Sequence, residues 1–263
     1  GTSVGAINVT YMAAHANRGD LRLKGLIQMW SKLNLQAHLR FDPFGFLSFR
    51  HWFGKKTPEE GHALLDPTAL EEVVQKTTVW EQLHQNIDNS VVRALIVPAL
   101  RVSNGQTALF IETAPDFTFP PSRDPRRSVI PTRINADHIL ASAAIPFVFP
   151  IRWVHDDWFC DGSLRFNTPI SPALRCGAER LVVISLLHET AEHVPETDKR
   201  RYPSPVVLLG KILNALSLDP INYDLQVLER FNRMLKVLED GGQIQILSQT
   251  QLETHLRSVN HEA

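Results

Sequence analysis

Gly1-Thr2-Ser3-Val4-Gly5 opens the chain with the pattern G-x-S-x-G, which calls for a sharp strand-to-helix turn around one serine. Gly1 and Gly5 have no Cβ atoms, so the two elements can approach closely, and Ser3 can take a strained backbone conformation that lifts its hydroxyl clear of the sheet. Ser3 then stands at the N-terminus of the following helix. There the N–H of Val4 and the positive end of the helix dipole face any oxyanion formed beside it. A glycine-rich helix start with a capping serine has the same five-residue look, so a catalytic reading needs support from elsewhere in the chain.

With 263 residues, 43% of them hydrophobic, the chain has the means to pack one large α/β domain or two small ones. A formal net charge of −1 gives no long-range field, which leaves a nucleic-acid partner unsupported and restricts any membrane contact to apolar or local attraction. Cys160 and Cys176 make no disulfide framework and fit a reducing compartment. No His/Cys/Asp cluster has metal-ligand spacing, so neither metal nor cofactor is expected. These residues contain no recognisable signal peptide, which says nothing of what precedes Gly1, and no apolar run long enough for a membrane span. The chain starts at Gly1 without an initiator Met and is read as a fragment of a longer protein.

Along the chain, residues 4–17 read as the helix carrying Ser3, and residues 20–33 as a second helix whose Leu23, Leu26, Ile27 and Trp30 have core-packing spacing. The stretch 41–53 holds six aromatic rings besides its histidine, Phe46, Phe49 and Trp52 among them, flanked by Arg40, Lys55 and Lys56. These rings either form a lipid-facing lid or pack over the core. Two helices are expected over 68–76 and from 78. Strands are expected at 91–102 and 106–112 around Asn104-Gly105, the strongest hairpin signal present. A loop at 115–132 follows, and its Arg123, Arg126 and Arg127, with Arg133 just beyond it, either meet an anionic head group or are solvated.

The second informative block begins with a small-residue helix at 139–144, stopped by Pro146. A hairpin turning at His155-Asp156-Asp157 then delivers Asp161-Gly162 to its end, and Pro169 starts a helix. Residues 180–187 are a nearly continuous apolar run of the kind found in strands buried on both faces. Two amphipathic helices, 205–218 and 219–238, cover a sheet face or contact a membrane or partner, and 243–248 is a final strand candidate.

G-T-S-x-G-A-x-N at the start, with A-S-A-A-I-P-x-x-F-P and D-G-S-L-R-x-N-x-P-I-x-P-A about 155 residues later, resembles the patatin-like phospholipases. These are serine lipid-acyl hydrolases that use a Ser–Asp dyad and no histidine. The resemblance implies Ser3 as nucleophile and Asp161 as proton acceptor. It also implies a three-layer α/β sandwich, with a mainly parallel central sheet and helices on both faces. Such proteins carry, upstream of the elbow, a first strand and a glycine-rich oxyanion loop, and this chain is expected to lack both. One departure is Ser163, where the family usually has Gly or Ala.

A dyad of this kind is chemically sound if the carboxylate is desolvated, since an ordinary pKa of ~3.9 makes a weak base. Ile145, Phe147, Phe149 and Phe159 are the candidate lining. The competing role for Asp161 is a turn residue that bonds its own backbone. Asn8, Asn167 and Pro169 read as shaping residues, and His138 and His155 as surface or supporting ones. The residues therefore predict an acyl-hydrolase domain over 1–190 and a helical extension over 191–263. The expected substrate is a lipid ester or phospholipid, met in the cytoplasm or at a membrane surface. The alternatives are a Ser–His–Asp esterase using His188 and a non-catalytic lipid-binding domain of the same fold.

Overall fold

The computed structural model describes residues 1–19, 21–32, 65–122, 124–166 and 169–184, with isolated positions between 208 and 236. The chain divides into two units, Gly1–Pro220 and Ile221–Ala263, and every element below belongs to the first. In chain order these are α1 (Val4–Ala14), α2 (Leu21–Lys32), α3 (Thr68–Thr77), α4 (Trp80–Asp88), β1 (Ala94–Arg101), β2 (Thr107–Thr113) and β3 (Arg127–Pro131). There follow α5 (Ala136–Ser142), β4 (Arg152–Val154), β5 (Asp157–Asp161), α6 (Ser163–Phe166) and α7 (Ile170–Arg175). No helix among the described residues is long and apolar enough to cross a membrane.

The five strands form one mixed sheet in the order β3-β2-β1-β5-β4. Only β2 and β3 run parallel; the other three pairings are antiparallel, which corrects the expectation of a mainly parallel sheet for the described strands. Two tight turns impose this direction. Gly105 has φ 68° and Asn104 Oδ1 accepts the Gln106 N–H at 2.9 Å in the β1–β2 hairpin. His155 and Asp156, with φ 47° and 61°, make the β4–β5 turn, the two positive values suiting the twist of a two-residue hairpin. Residues 114–126 cross over to bring β3 parallel to β2, so the expected loop at 115–132 contains a strand. Its Val129-Ile130 pair was the β-branched signal available in the sequence.

Both faces of the sheet are covered. Leu95, Val97 and Ala99 of β1 and Phe110 of β2 pack under α1, α3, α4 and α5, while Ile96, Leu109 and Ile111, of opposite parity, pack with Phe119 of the crossover and Phe166 of α6. α2 meets the first core through Met29 and Trp30, leaving Leu23 and Ile27 at 50% and 67% exposure; these two were expected inside. The apolar run at 180–187 is not a strand over its described part, and Val182 and Ile184 are 89% and 88% exposed. Sequence apolarity alone does not supply the neighbouring strand that would bury it. Residues 41–53, 205–218, 219–238 and 243–248 lie wholly or almost wholly outside the described residues.

β1 is central yet contains Pro98. The Arg101 N–H points to Gln106 O and the Val102 N–H to Trp158 O, so by alternation Leu100 and Pro98 turn their backbone toward β5. Proline has no N–H to give there, and the β1–β5 ladder stops at Ala99 opposite Asp161. The chain leaves the sheet at Gly162, and the Pro98 carbonyl is free for another donor.

The elbow helix is anchored at its far end by α4. Asn86, 1% exposed, donates from Nδ2 to Ala13 O at 2.8 Å and Ala14 O at 3.2 Å, and its Oδ1 accepts from Asn17 and Gln82. It thereby satisfies carbonyls that the end of α1 leaves without intrahelical donors. Asn86→Ala should cost about 2 kcal/mol in urea unfolding, because two buried carbonyls lose their donor. A cost below about 0.5 kcal/mol would mean the interaction is replaced without loss.

Candidate active site

Ser3 occupies the turn into α1 with φ 55° and ψ −131°, a conformation that costs a non-glycine residue roughly 1–3 kcal/mol and persists only where its surroundings enforce it. It sits at the N-cap position, yet its side chain makes no capping bond. The hydroxyl instead donates to Asp161 Oδ2 at 2.6 Å, across 158 residues of sequence. This removes the reading of Ser3 as a simple helix cap. The close approach expected of the elbow glycines is real at Gly1, where a Cβ would collide with the Gly5 backbone and lie 2.8 Å from Val9 Cγ2. At Gly5 a Cβ would meet nothing within 4 Å, so the crowding falls on one glycine of the pair.

Asp161 ends β5, is fully buried, and uses its two oxygens differently. Oδ2 accepts the Ser3 hydroxyl, and Oδ1 accepts the Ser163 N–H at 2.8 Å. The turn role and the serine-facing role thus coexist, one oxygen to each. Its backbone N–H donates to Ala144 O at 2.9 Å, which ties the end of β5 to the residues just after α5. Burial raises the carboxyl pKa above its ordinary value, opposed by hydrogen bonds from the Ser3 hydroxyl and from Ser163 through both backbone and side chain. Ser163, the departure from the family pattern, is therefore a contact of the carboxylate.

The lining differs from expectation in one part. Phe159, two residues before Asp161, is fully buried, but Phe147 is 56% exposed at φ 68°. Phe147 belongs to a turn over residues 146–148 and stays exposed, so it does not supply the burial expected of it. A Cβ at Gly162 would lie 2.8 Å from the Pro98 carbonyl carbon and 3.0 Å from Thr2 Cγ2. Thr2 in turn donates its hydroxyl to Phe166 O at 2.9 Å.

The other candidates separate from this centre. Asn8 accepts the Trp30 indole N–H at 2.7 Å and ties α1 to α2, in place of the expected backbone near the elbow. His138 accepts the Asn135 N–H on Nδ1 in a capping box that starts α5, and its Nε2 lies 2.9 Å from His155 Nε2. Burial and the neighbouring His155 push the His138 pKa down to about 4. His155 is at the turn of the β4–β5 hairpin, the end opposite Asp161. Arg126 and Arg127 share the one Asp124 carboxylate at 3.1 and 3.4 Å, and Arg133 pairs with Asp88 at 3.3 Å, with the Arg126 and Arg133 side chains 77% and 63% exposed. Pro169 precedes α7 as expected. Arg123, Asn167, His188, Phe46, Phe49 and Trp52 lie outside the described residues.

Both cysteines are free, and burial raises both thiol pKa values, that of Cys160 to about 11, so Cys160 beside Asp161 is no thiolate at neutral pH. Among the described residues no three His, Cys, Asp or Glu side chains converge as a metal site would require. What the geometry offers is a serine hydroxyl within proton-transfer distance of a buried carboxylate, at the N-terminus of a helix whose first amides have no intrahelical acceptors. Ser142, Pro98 and Thr2 were not identified from sequence, because a Ser among alanines or a Pro in a strand gives no sign of a partner tens of residues away. The family model of patatin-like phospholipase matches residues 1–174, which include the whole of this centre. No curated protein matches the chain.

Proposed function

Because the chain belongs to the patatin-like phospholipase family, we propose that it is a serine lipid-acyl hydrolase working through Ser3 and Asp161. Family membership supports lipid ester hydrolysis in general terms. The observation that carries the finer reading is the 2.6 Å hydrogen bond from Ser3 Oγ to Asp161 Oδ2. In the first step the Ser3 proton passes to Asp161 as Oγ attacks the ester carbonyl carbon. The resulting oxyanion accepts the Val4 N–H at the positive end of α1. Collapse expels the alcohol, which takes the proton from Asp161 and leaves Ser3 acylated. Water then attacks the acyl group, gives its proton to Asp161, and the acid departs as that proton returns to Ser3. Desolvation makes the carboxylate a stronger base than one in water, which is what a dyad without imidazole requires.

Val4, next to the nucleophile, is 45% exposed, and Phe147, three residues beyond the Ala144 carbonyl that holds Asp161, is 56% exposed. Both offer apolar surface to an acyl chain or a phospholipid presented at a membrane. A fluorophosphonate probe should label the wild-type chain at Ser3 and leave Ser3→Ala unlabelled, since only an activated serine reacts. The acid limb of kcat/KM on a short-chain ester should lie above pH 3.8, the ordinary value for the carboxyl, because only ionised Asp161 accepts the proton. Folded wild-type chain that takes no probe would leave a lipid-binding domain without chemistry.

A further inference from the structure

We propose that Ser142 is a positioning residue for the nucleophile, its hydroxyl fixing the backbone of Ser3 in its strained conformation. The inference rests on the reading of Ser3 and Asp161 as the reacting pair. Ser142 is the last residue of α5 and fully buried. Its Oγ accepts the Ser3 backbone N–H at 3.0 Å and donates to Pro98 O at 2.7 Å.

The direction of both bonds follows from chemistry. A carbonyl only accepts and an amide N–H only donates, so the hydroxyl proton goes to Pro98 and a lone pair faces Ser3. Each partner is available for a separate reason. Pro98 O is unclaimed by the β1–β5 ladder, which ends at Asp161. The Ser3 amide, at φ 55°, points out of α1 and away from any intrahelical acceptor.

The same residue reaches the other half of the pair through its main chain. Ser142 O accepts the Gly162 N–H at 3.4 Å, and two residues later Ala144 O accepts the Asp161 N–H. The end of α5 therefore spans the gap between nucleophile and base. Its side chain holds the residue that attacks, and its backbone holds the residue that takes the proton. A strained turn relaxes when one of its restraints is lost, and Ser3 Oγ then leaves the line to the carboxylate. Because the hydroxyl touches the Ser3 amide and no reacting atom, its loss alters the geometry of attack while leaving the Asp161 carboxyl in its surroundings.

The test uses the full chain and a p-nitrophenyl ester. Ser142→Ala should lower kcat roughly 10- to 100-fold, as small misplacements of a nucleophile do, with KM within about twofold and the acid limb of the pH profile unmoved. Ser142→Thr, which keeps the hydroxyl, should recover most of kcat. If the alanine variant fails to unfold cooperatively, Ser142→Cys is read instead: it keeps the size with a much weaker hydrogen-bonding group and should show the same loss of kcat at unchanged KM. A folded Ala or Cys variant with wild-type kcat overturns the proposal, and so does an acid limb that shifts with kcat, which would place the effect on Asp161. Ser3→Ala run alongside separates the two levels. Full activity in Ser3→Ala would end the dyad reading itself, whereas its inactivity beside a fully active Ser142→Ala would end only the positioning role.

Discussion

Ser3→Ala and Asp161→Asn should each lower ester hydrolysis by about 10⁴-fold or more, and the double variant should be hardly slower than either single one. The non-additivity follows from the 2.6 Å bond between them: once the proton has no acceptor, or the acceptor no proton to take, removing the second partner removes nothing further. Losses that multiply would mean the two groups act in separate steps. Asp161→Asn also carries its own control against misfolding. Burial raises the folded carboxyl pKa above its ordinary 3.8, so the native state favours the protonated form. That stabilising contribution is complete below pH 3.8 and is lost as pH rises through the raised folded value. Above that folded value the wild-type chain holds a buried carboxylate that asparagine would not have. The variant should therefore unfold at an equal or higher temperature than wild type near pH 7, with the difference closing toward pH 3.8. An inactive variant that is also less stable at pH 7 would point to structural damage instead.

Gly162→Ala should be strongly damaging for a single added methyl beside the base. Its Cβ would stand 2.8 Å from the Pro98 carbonyl carbon, nearer still to the Pro98 oxygen, and 3.0 Å from Thr2 Cγ2. None of these neighbours is free to move: Pro98 O is held by the Ser142 hydroxyl, and Thr2 by its bond to Phe166 O. The displacement must fall on the end of β5, where Asp161 sits. Overpacking of this kind costs about 2–3 kcal/mol, a fall in Tm of roughly 4–12 °C for a domain of this size, and the shift of Asp161 should lower kcat about 100-fold. Gly5→Ala is the contrasting variant. With nothing within 4 Å of its Cβ and a place in the first turn of α1, it should leave stability unchanged or raise it by up to about 1 kcal/mol through helix propensity. Equal effects at the two positions would mean that the packing around Gly162 yields more readily than its hydrogen bonds imply.

The amino-acid sequence by itself determined whatever depends on short-range chemistry. The G-T-S-V-G elbow, the Asn104-Gly105 hairpin, the turn at His155-Asp156 and the helix after Pro169 all stand where residue type restricts φ, ψ or the supply of N–H groups. The pairing of Ser3 with Asp161 was legible only because two motifs about 155 residues apart resemble one family; neither motif specifies a distance. Tertiary structure decided the rest. It set the mixed direction of the sheet, left Val182 and Ile184 exposed in a run that reads as buried strand, and left Phe147, expected to line the carboxylate, more than half exposed. It also placed Ser142 between Pro98 O and the Ser3 amide. The physical reason is the same in each case. Burial and long-range hydrogen bonds are properties of what packs against a residue, and Pro98, Ser142 and Asp161 acquire their roles only when β1, α5 and β5 converge on the turn that carries Ser3.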